Sequence, residues 1–410
     1  MKYFRNLFYL FFSLSISFAL SAQQIPATDI SQAGMSEARL DRLSDYLYQE
    51  IEQQRLPGAV ALIVRNGATA LYQTYGYQNM ETQAPMQKDQ IFYIQSMTKP
   101  IISVGIMMLY EHGHFDLDDP VSEYLPQFAD RQVEVSDDNN GTRQVAAREE
   151  MTIAQLLSHT AGLSHGLGNS DIDKRYTQAL YGQAHANLEA RVNAMAELPL
   201  LGQPGEQWYY SAAPDVLALL IEKFSGMRTD QYLQQHIFDP LGMDDTGYNL
   251  TEEQAPRAVG LHLRGNDGTQ SLRIEQTPTQ GHVVFGGTHG LFSTADDYLR
   301  FCQMLLNGGE LEGVRLLSPK TVELMTADHV GELYTDAGYG FGLGFSVRTD
   351  LAEANELGSE DTYGWSGAYN TYFFIDPEED LIGILMTQFA PYTNFYKEKY
   401  RHLVYQSIVD

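Results

Sequence analysis

The chain has 410 residues, more than one compact core usually holds. It carries 53 acidic against 26 basic residues, a formal charge of −27, which excludes nucleic acid and anionic membrane surfaces as natural partners. Its one cysteine, Cys302, has no partner for an internal disulfide, so stability must come from the core.

In chain order, residues 1–22 read as a secretory signal. Lys2 and Arg5 make a basic start, Leu7 to Leu20 an apolar run, and Ala19, Ser21 and Ala22 a small-residue cleavage site. The run is too short, and followed by too polar a chain, for a membrane span. No cysteine near the cleavage point offers a lipid anchor. A soluble protein exported to the periplasm or beyond is expected. Met35 to Gln54 reads as a helix. Ala59–Val64 and Ala68–Tyr72 read as strands joined by Asn66-Gly67, a strong hairpin signal. A buried helix begins near Ser96 and ends near Gly113. Helical spacing then recurs over Thr152–Ser158, Asn187–Ala196, Pro214–Phe224 and Thr229–His236, and over Asp296–Leu306, which takes Cys302 into the core. Phe341–Val347 reads as a strand, Tyr372–Ile375 and Leu381–Thr387 as a hairpin, and Phe395–Ile408 as a closing helix. The expected fold is α/β (α+β), an antiparallel sheet flanked by helices. The sheet domain is drawn from both chain ends, residues 35–95 and 288–410. A mainly helical region, 96–287, is inserted, with the Ser96 helix at the interface.

The chemistry concentrates at Ser96-Met97-Thr98-Lys99. Residues i and i+3 share one helix face, so the lysine amine stands beside the serine hydroxyl. A serine alcohol is a poor nucleophile until something takes its proton. Pro100 belongs in a helix's first turn, which places Ser96 at the helix N-terminus, where free N–H groups favour an oxyanion. Tyr210 follows a Pro204-Gly205 turn and precedes the helix near Pro214. A phenol, ordinarily at about 10, becomes a base only if a cation such as Lys99 lowers it. Tyr363 to Tyr369 carries Gly364 and Gly367 in a strand-like run, the mark of a close backbone approach to a ligand.

Taken together these segments resemble the serine β-lactamase-like hydrolases: class C β-lactamases, D-alanyl-D-alanine carboxypeptidases, D-aminopeptidases and related esterases. The resemblance runs from about Leu40 to Val404. Tyr93 to Lys99 looks like the family's Ser-x-x-Lys motif, and Gly113 to Val121 like the turn after its helix. Leu156 to Leu163 is similar to the His-Thr-Ser-Gly-Leu loop, Pro204 to Ser211 to the Tyr-x-Asn motif, and Gly286 to Thr294 to the glycine loop before a sheet-packing helix. Trp365-Ser366-Gly367 stands at Lys-Thr-Gly. The resemblance implies Ser96, Lys99 and Tyr210 as catalytic residues and the N–H groups of Ser96 and Ala368 as oxyanion donors. It also implies a substrate wall of Trp365, Ser366, Gly367, Tyr209 and Tyr369. Two positions depart from the pattern. Ala212 replaces the asparagine and Trp365 the lysine. Tryptophan has one N–H and a broad apolar face, so it does not pair with a carboxylate. The expectation is a carboxylesterase acting through an acyl-enzyme on short-chain or aromatic esters, with a small-molecule substrate and no cofactor. A β-lactamase, a D-amino-acid peptidase, and a non-catalytic binding or structural protein on the same scaffold are the alternatives. Arg264 or Arg348 is the cation that would restore carboxylate recognition.

Two motifs are set aside. Gly162-Leu163-Ser164-His165-Gly166 matches the nucleophile elbow of α/β-hydrolases, but a helix precedes it where a strand is required, so His159 and Ser164 are read as loop residues. His112-Gly113-His114-Phe115-Asp116 matches a metal-hydrolase pattern without the further ligands zinc needs, so no metal is expected.

Overall fold

The computed structural model describes residues 26–137, 141–264 and 270–410; the expected leader, 1–22, lies outside the described residues. Eight antiparallel strands form the main sheet. From one edge they are Tyr339–Phe341, Ser346–Arg348, Tyr363–Ser366, Tyr372–Asp376, Leu381–Met386, Gly58–Arg65, Ala68–Asn79 and Ala84–Pro85. The join between the chain's two ends is the pairing of Gly58–Arg65 with Leu381–Met386, in register Val60 to Met386 and Arg65 to Leu381. Asn66 and Gly67 both take positive φ, 52° and 67°, as the hairpin turn requires.

Every residue of Gly58–Arg65 is buried, because both sheet faces are covered. Ala59, Ala61 and Ile63 point to a core shared with helices Glu37–Glu52 and Asn394–Tyr405, where Leu40, Leu43 and Leu47 meet Tyr396, Tyr400 and Val404. Val60, Leu62 and Val64 point the other way, into the larger core with helices Thr98–Glu111, Ala213–Ser225 and Ala295–Leu306. The two-residue period of one strand thus divides the molecule into two cores.

The structure departs from the sequence reading in several places. The second strand runs seven residues past Tyr72 to Asn79, carried by backbone pairing such as Gly58 with Gly76 rather than by an apolar run. Phe341–Val347 is the turn of a hairpin, Tyr339–Phe341 against Ser346–Arg348. Gly344 there has φ 103°, and a Cβ on Gly342 would lie 2.2 Å from the Met325 carbonyl oxygen. Thr229–Leu233 passes into a π-turn at Gln234–Phe238. The middle region also holds a hairpin, Gln132–Asp137 with Gly141–Ala146, and a capped helix, Asp171–Leu180, whose Ile172, Tyr176 and Leu180 spacing the sequence reading passed over.

Candidate active site

Ser96 sits in a short 3₁₀ turn, Gln95–Met97, that leads directly into helix Thr98–Glu111. Gln95 holds φ at 50°, bending the chain just before the serine. The helix is buried from Thr98 to Leu109, and Tyr298 ties its start to helix Ala295–Leu306 by donating to the Met97 carbonyl at 3.0 Å. Lys99, 2% exposed, places Nζ 3.2 Å from Ser96 Oγ and donates to the Thr288 carbonyl at 2.8 Å. Burial, with Arg191 acting in the same sense and Asp215 opposing, lowers its amine to about 7. A good part of the lysine is therefore neutral at neutral pH, and a neutral amine beside a hydroxyl can take its proton.

Tyr210 shares a hydrogen bond with Ser96 and accepts another from Trp365 Nε1 at 3.3 Å. Lys99 Nζ stands over its ring, 4.6 Å from the centroid, rather than beside its oxygen. The sequence expectation that Lys99 turns Tyr210 into a base is therefore corrected. Burial raises the phenol to about 12, against the pull of Ser96 and Trp365, and the hydroxyl keeps its proton. The ring is caged by His165, stacked at 5.0 Å, by the edge of His159 at 5.1 Å and by the tilted ring of Trp365 at 5.5 Å. The loop at 158–163 holds Tyr210's loop in place: Thr160 and His159 carbonyls accept from Gly205 and Tyr209 N–H at 2.8 and 2.9 Å.

Strand Tyr363–Ser366 runs past the serine and turns at 368–370. A Cβ on Gly367 would lie 2.4 Å from the Ile94 carbonyl oxygen, and one on Gly364 2.3 Å from that of Phe373. The two glycines thus admit close protein backbone, and Gly367 lets the strand lie against the turn that carries Ser96. Ser96 and Ala368 line the same cavity, of about 920 Å³. Its wall includes Trp365, Ser366, Gly367 and Tyr369, together with Trp208, Tyr334, Tyr181, His165 and His289.

Several expected residues lie elsewhere. Tyr209 is absent from the wall; its ring packs on Gly202 and its hydroxyl bonds Gln207, while its neighbour Trp208 takes the wall position. Ala212 is fully buried behind Tyr210. Arg348 is fully buried against Glu356, Tyr339 and the Leu357 carbonyl, and Arg264 donates to the Arg55 carbonyl, so neither reaches the cavity. The lysine and arginine in the wall, Lys397 and Arg401, come from the last helix, on the far face of the sheet from Ser96; Arg401 is paired with Glu356. Ser164 is buried, donates to Asp173 at 2.6 Å and accepts from Gly166 N–H at 2.9 Å. His112 and His114 are exposed, and among the described residues no group of His, Cys, Asp or Glu is assembled for a metal.

Four polar residues of the site carried no role in the sequence reading: His165, His289, Arg191 and Asp215. His289 bonds Tyr93 through Nδ1 at 3.1 Å; burial and Arg191 hold it neutral. Burial likewise keeps His165 neutral. Asp215, fully buried, pairs with Arg191 at 2.9 Å and accepts from Thr288 N–H at 2.8 Å. Burial opposes its charge, but Arg191, then His289 and the Thr288 N–H, hold the carboxyl below its usual range. A signal for both existed: Arg191 falls on the apolar stripe of Leu188, Val192 and Met195, and Asp215 opens an otherwise apolar helix.

A sheet covered by helices on both faces, with a Ser-x-x-Lys turn at its edge, defines a hydrolase of the penicillin-binding-protein and β-lactamase fold. The β-lactamase family profile matches residues 39–406, and the chain belongs to that family. It is 34% identical, over 82% of its length and 86% of the relative's, to an uncharacterised protein of Mycobacterium tuberculosis. It is 29% identical, over 90% and 95%, to esterase EstB of Burkholderia gladioli. Among solved structures it resembles EstCE1, a hydrolase with promiscuous acyltransferase activity, with TM-score 0.79 and 27% identity over 92% of this chain and 100% of that one.

Proposed function

We propose that the protein is an exported serine carboxylesterase that works through an acyl-enzyme on Ser96. Neutral Lys99 takes the Ser96 proton as Oγ attacks the ester carbonyl, and the N–H groups of Ser96 and Ala368 hold the oxyanion. Tyr210, still protonated, gives its proton to the departing alkoxide; the Trp365 N–H steadies the phenolate left behind. The phenolate takes a proton from the water that attacks the acyl-enzyme, and the Lys99 ammonium returns its proton to Ser96 Oγ as the acyl bond breaks. This releases the acid and frees Ser96.

The observation that carries the ester reading is Trp365. It stands where a cation would meet a substrate carboxylate, and its one N–H is already engaged by Tyr210. A charged hydrogen bond to that carboxylate is worth about 1.5–3 kcal/mol, on the order of ten- to a hundredfold in rate. The aromatic wall of Trp365, Trp208, Tyr334 and Tyr369 suits uncharged acyl chains and aromatic alcohols. Esterase EstB and EstCE1 support the same reading.

The test is one side-by-side panel of p-nitrophenyl esters, a chromogenic cephalosporin and D-amino-acid peptides. Short-chain esters are expected to turn over fastest. A lactam or peptide turned over faster would overturn the substrate assignment. Export is tested separately by sequencing the mature N-terminus, expected near Gln23; a mature chain starting at Met1 would contradict it.

A further inference from the structure

We propose that the buried Arg191–Asp215 pair positions Lys99 and balances its charge, acting through Thr288. The inference rests on Lys99 being the proton acceptor.

Three elements meet here. Arg191 comes from helix Leu188–Ala196, Asp215 from the first turn of helix Ala213–Ser225, and Thr288 from the glycine loop. Asp215 Oδ2 lies 2.9 Å from Arg191 Nε, an ion pair without hydrogen-bond alignment, and its Oδ1 accepts from the Thr288 N–H at 2.8 Å. The Thr288 carbonyl in turn accepts from Lys99 Nζ at 2.8 Å. One residue therefore joins the carboxylate on one side to the amine on the other. The loop cannot stand off from this arrangement. A Cβ on Gly286 would lie 2.5 Å from Asp215 Oδ1, and one on Gly287 2.1 Å from the Pro214 carbonyl oxygen, so both glycines press the loop onto the helix start.

A buried ion pair adds little stability over apolar residues of the same volume. Its place here gives it another use. The ionisable groups facing Lys99 are Asp215, Arg191, the Tyr210 ring and three histidines held neutral, His159, His165 and His289. Asp215 favours the ammonium and Arg191 disfavours it, so the pair applies opposite pulls on Lys99, the carboxylate's the larger. Losing one member unbalances the other.

The acid limb of kcat/KM reports this directly, because activity is lost as Lys99 gains its proton. Asp215→Asn keeps an oxygen for the Thr288 N–H and removes the charge; the limb should move to lower pH. Arg191→Gln should move it to higher pH, each by on the order of one unit. Arg191→Lys, which keeps the charge, should leave the limb near its wild-type position. A merely structural pair would lower kcat in these variants without opposite shifts. Limbs that stay fixed, or move the same way, overturn the inference. Should Asp215→Asn fail to fold, the contrast between Arg191→Gln and Arg191→Lys still decides it. Turnover retained in Lys99→Met would instead sink the reading of Lys99 as proton acceptor. Lys99 required, with a limb indifferent to the pair, would sink this inference alone.

Discussion

The two faces of the main sheet are built on different principles. The face under helices Glu37–Glu52 and Asn394–Tyr405 has an apolar centre, and buried charges there such as Glu50, Arg348 and Arg401 each meet an opposite charge, Arg55 or Glu356. The other face encloses Lys99, Arg191, Asp215, His159, His165 and His289 within the larger core. Burying such groups costs free energy that only good pairing recovers. The first face holds the molecule together. The second gives up stability so that an amine ordinarily above 10 is lowered to about 7 beside a hydroxyl. Reactivity and stability should therefore respond to different substitutions.

The largest effect that separates them is Ser96→Ala. Turnover should fall by about 10⁵- to 10⁶-fold, while the thermal unfolding temperature stays near wild type in calorimetry. Lys99→Met comes next. It should lower kcat by about 10²- to 10⁴-fold yet unfold no earlier than wild type, because an apolar side chain of similar length replaces a buried amine. The wild-type acid limb belongs with it: kcat/KM should fall about tenfold per pH unit once the pH drops below Lys99's value of about 7. Leu62→Ala, on the sheet strand that joins the chain ends, should do the reverse. It should cost about 2–5 kcal/mol in denaturant titration and leave kcat/KM of the folded enzyme near wild type. A Leu62→Ala enzyme as slow as Lys99→Met would erase the distinction between structure and reactivity. Ser164→Ala should have the smallest effect. It loses the bonds to Asp173 and Gly166, costs about 1–3 kcal/mol of stability and leaves turnover within a few-fold.

The apolar framework was readable because its signals are local. Asn66-Gly67 announced a hairpin, strand Gly58–Arg65 an uninterrupted buried run, and Pro100 the start of a helix; each element stands within a few residues of its expected limits. Ser96, Lys99 and Tyr210 were readable because their motifs are contiguous, and their side chains do meet. What escaped depends on separated segments. Tyr209 and Trp208 are adjacent, and only the path of the loop, pinned by His159 and Thr160, turns Trp208 into the cavity. The lowering expected of Lys99 on Tyr210 is not met, because motif spacing places a lysine near a phenol without saying whether it meets the oxygen or the ring face. His165, inside the elbow motif that was set aside, was given no role, yet it stacks on Tyr210. Hairpin Gln132–Asp137 with Gly141–Ala146 was missed because its residues are largely exposed and carry little apolar pattern.

The central claim is that Ser96 is the nucleophile and that neutral Lys99 activates it. Labelling the folded protein with a fluorophosphonate across pH 5 to 9, followed by peptide mass mapping, tests both parts at once. The account predicts a single adduct on Ser96, formed more slowly as the pH falls below about 7 and nearly abolished in Lys99→Met. An adduct on Ser164, or labelling of Ser96 at an unchanged rate in Lys99→Met, would contradict it.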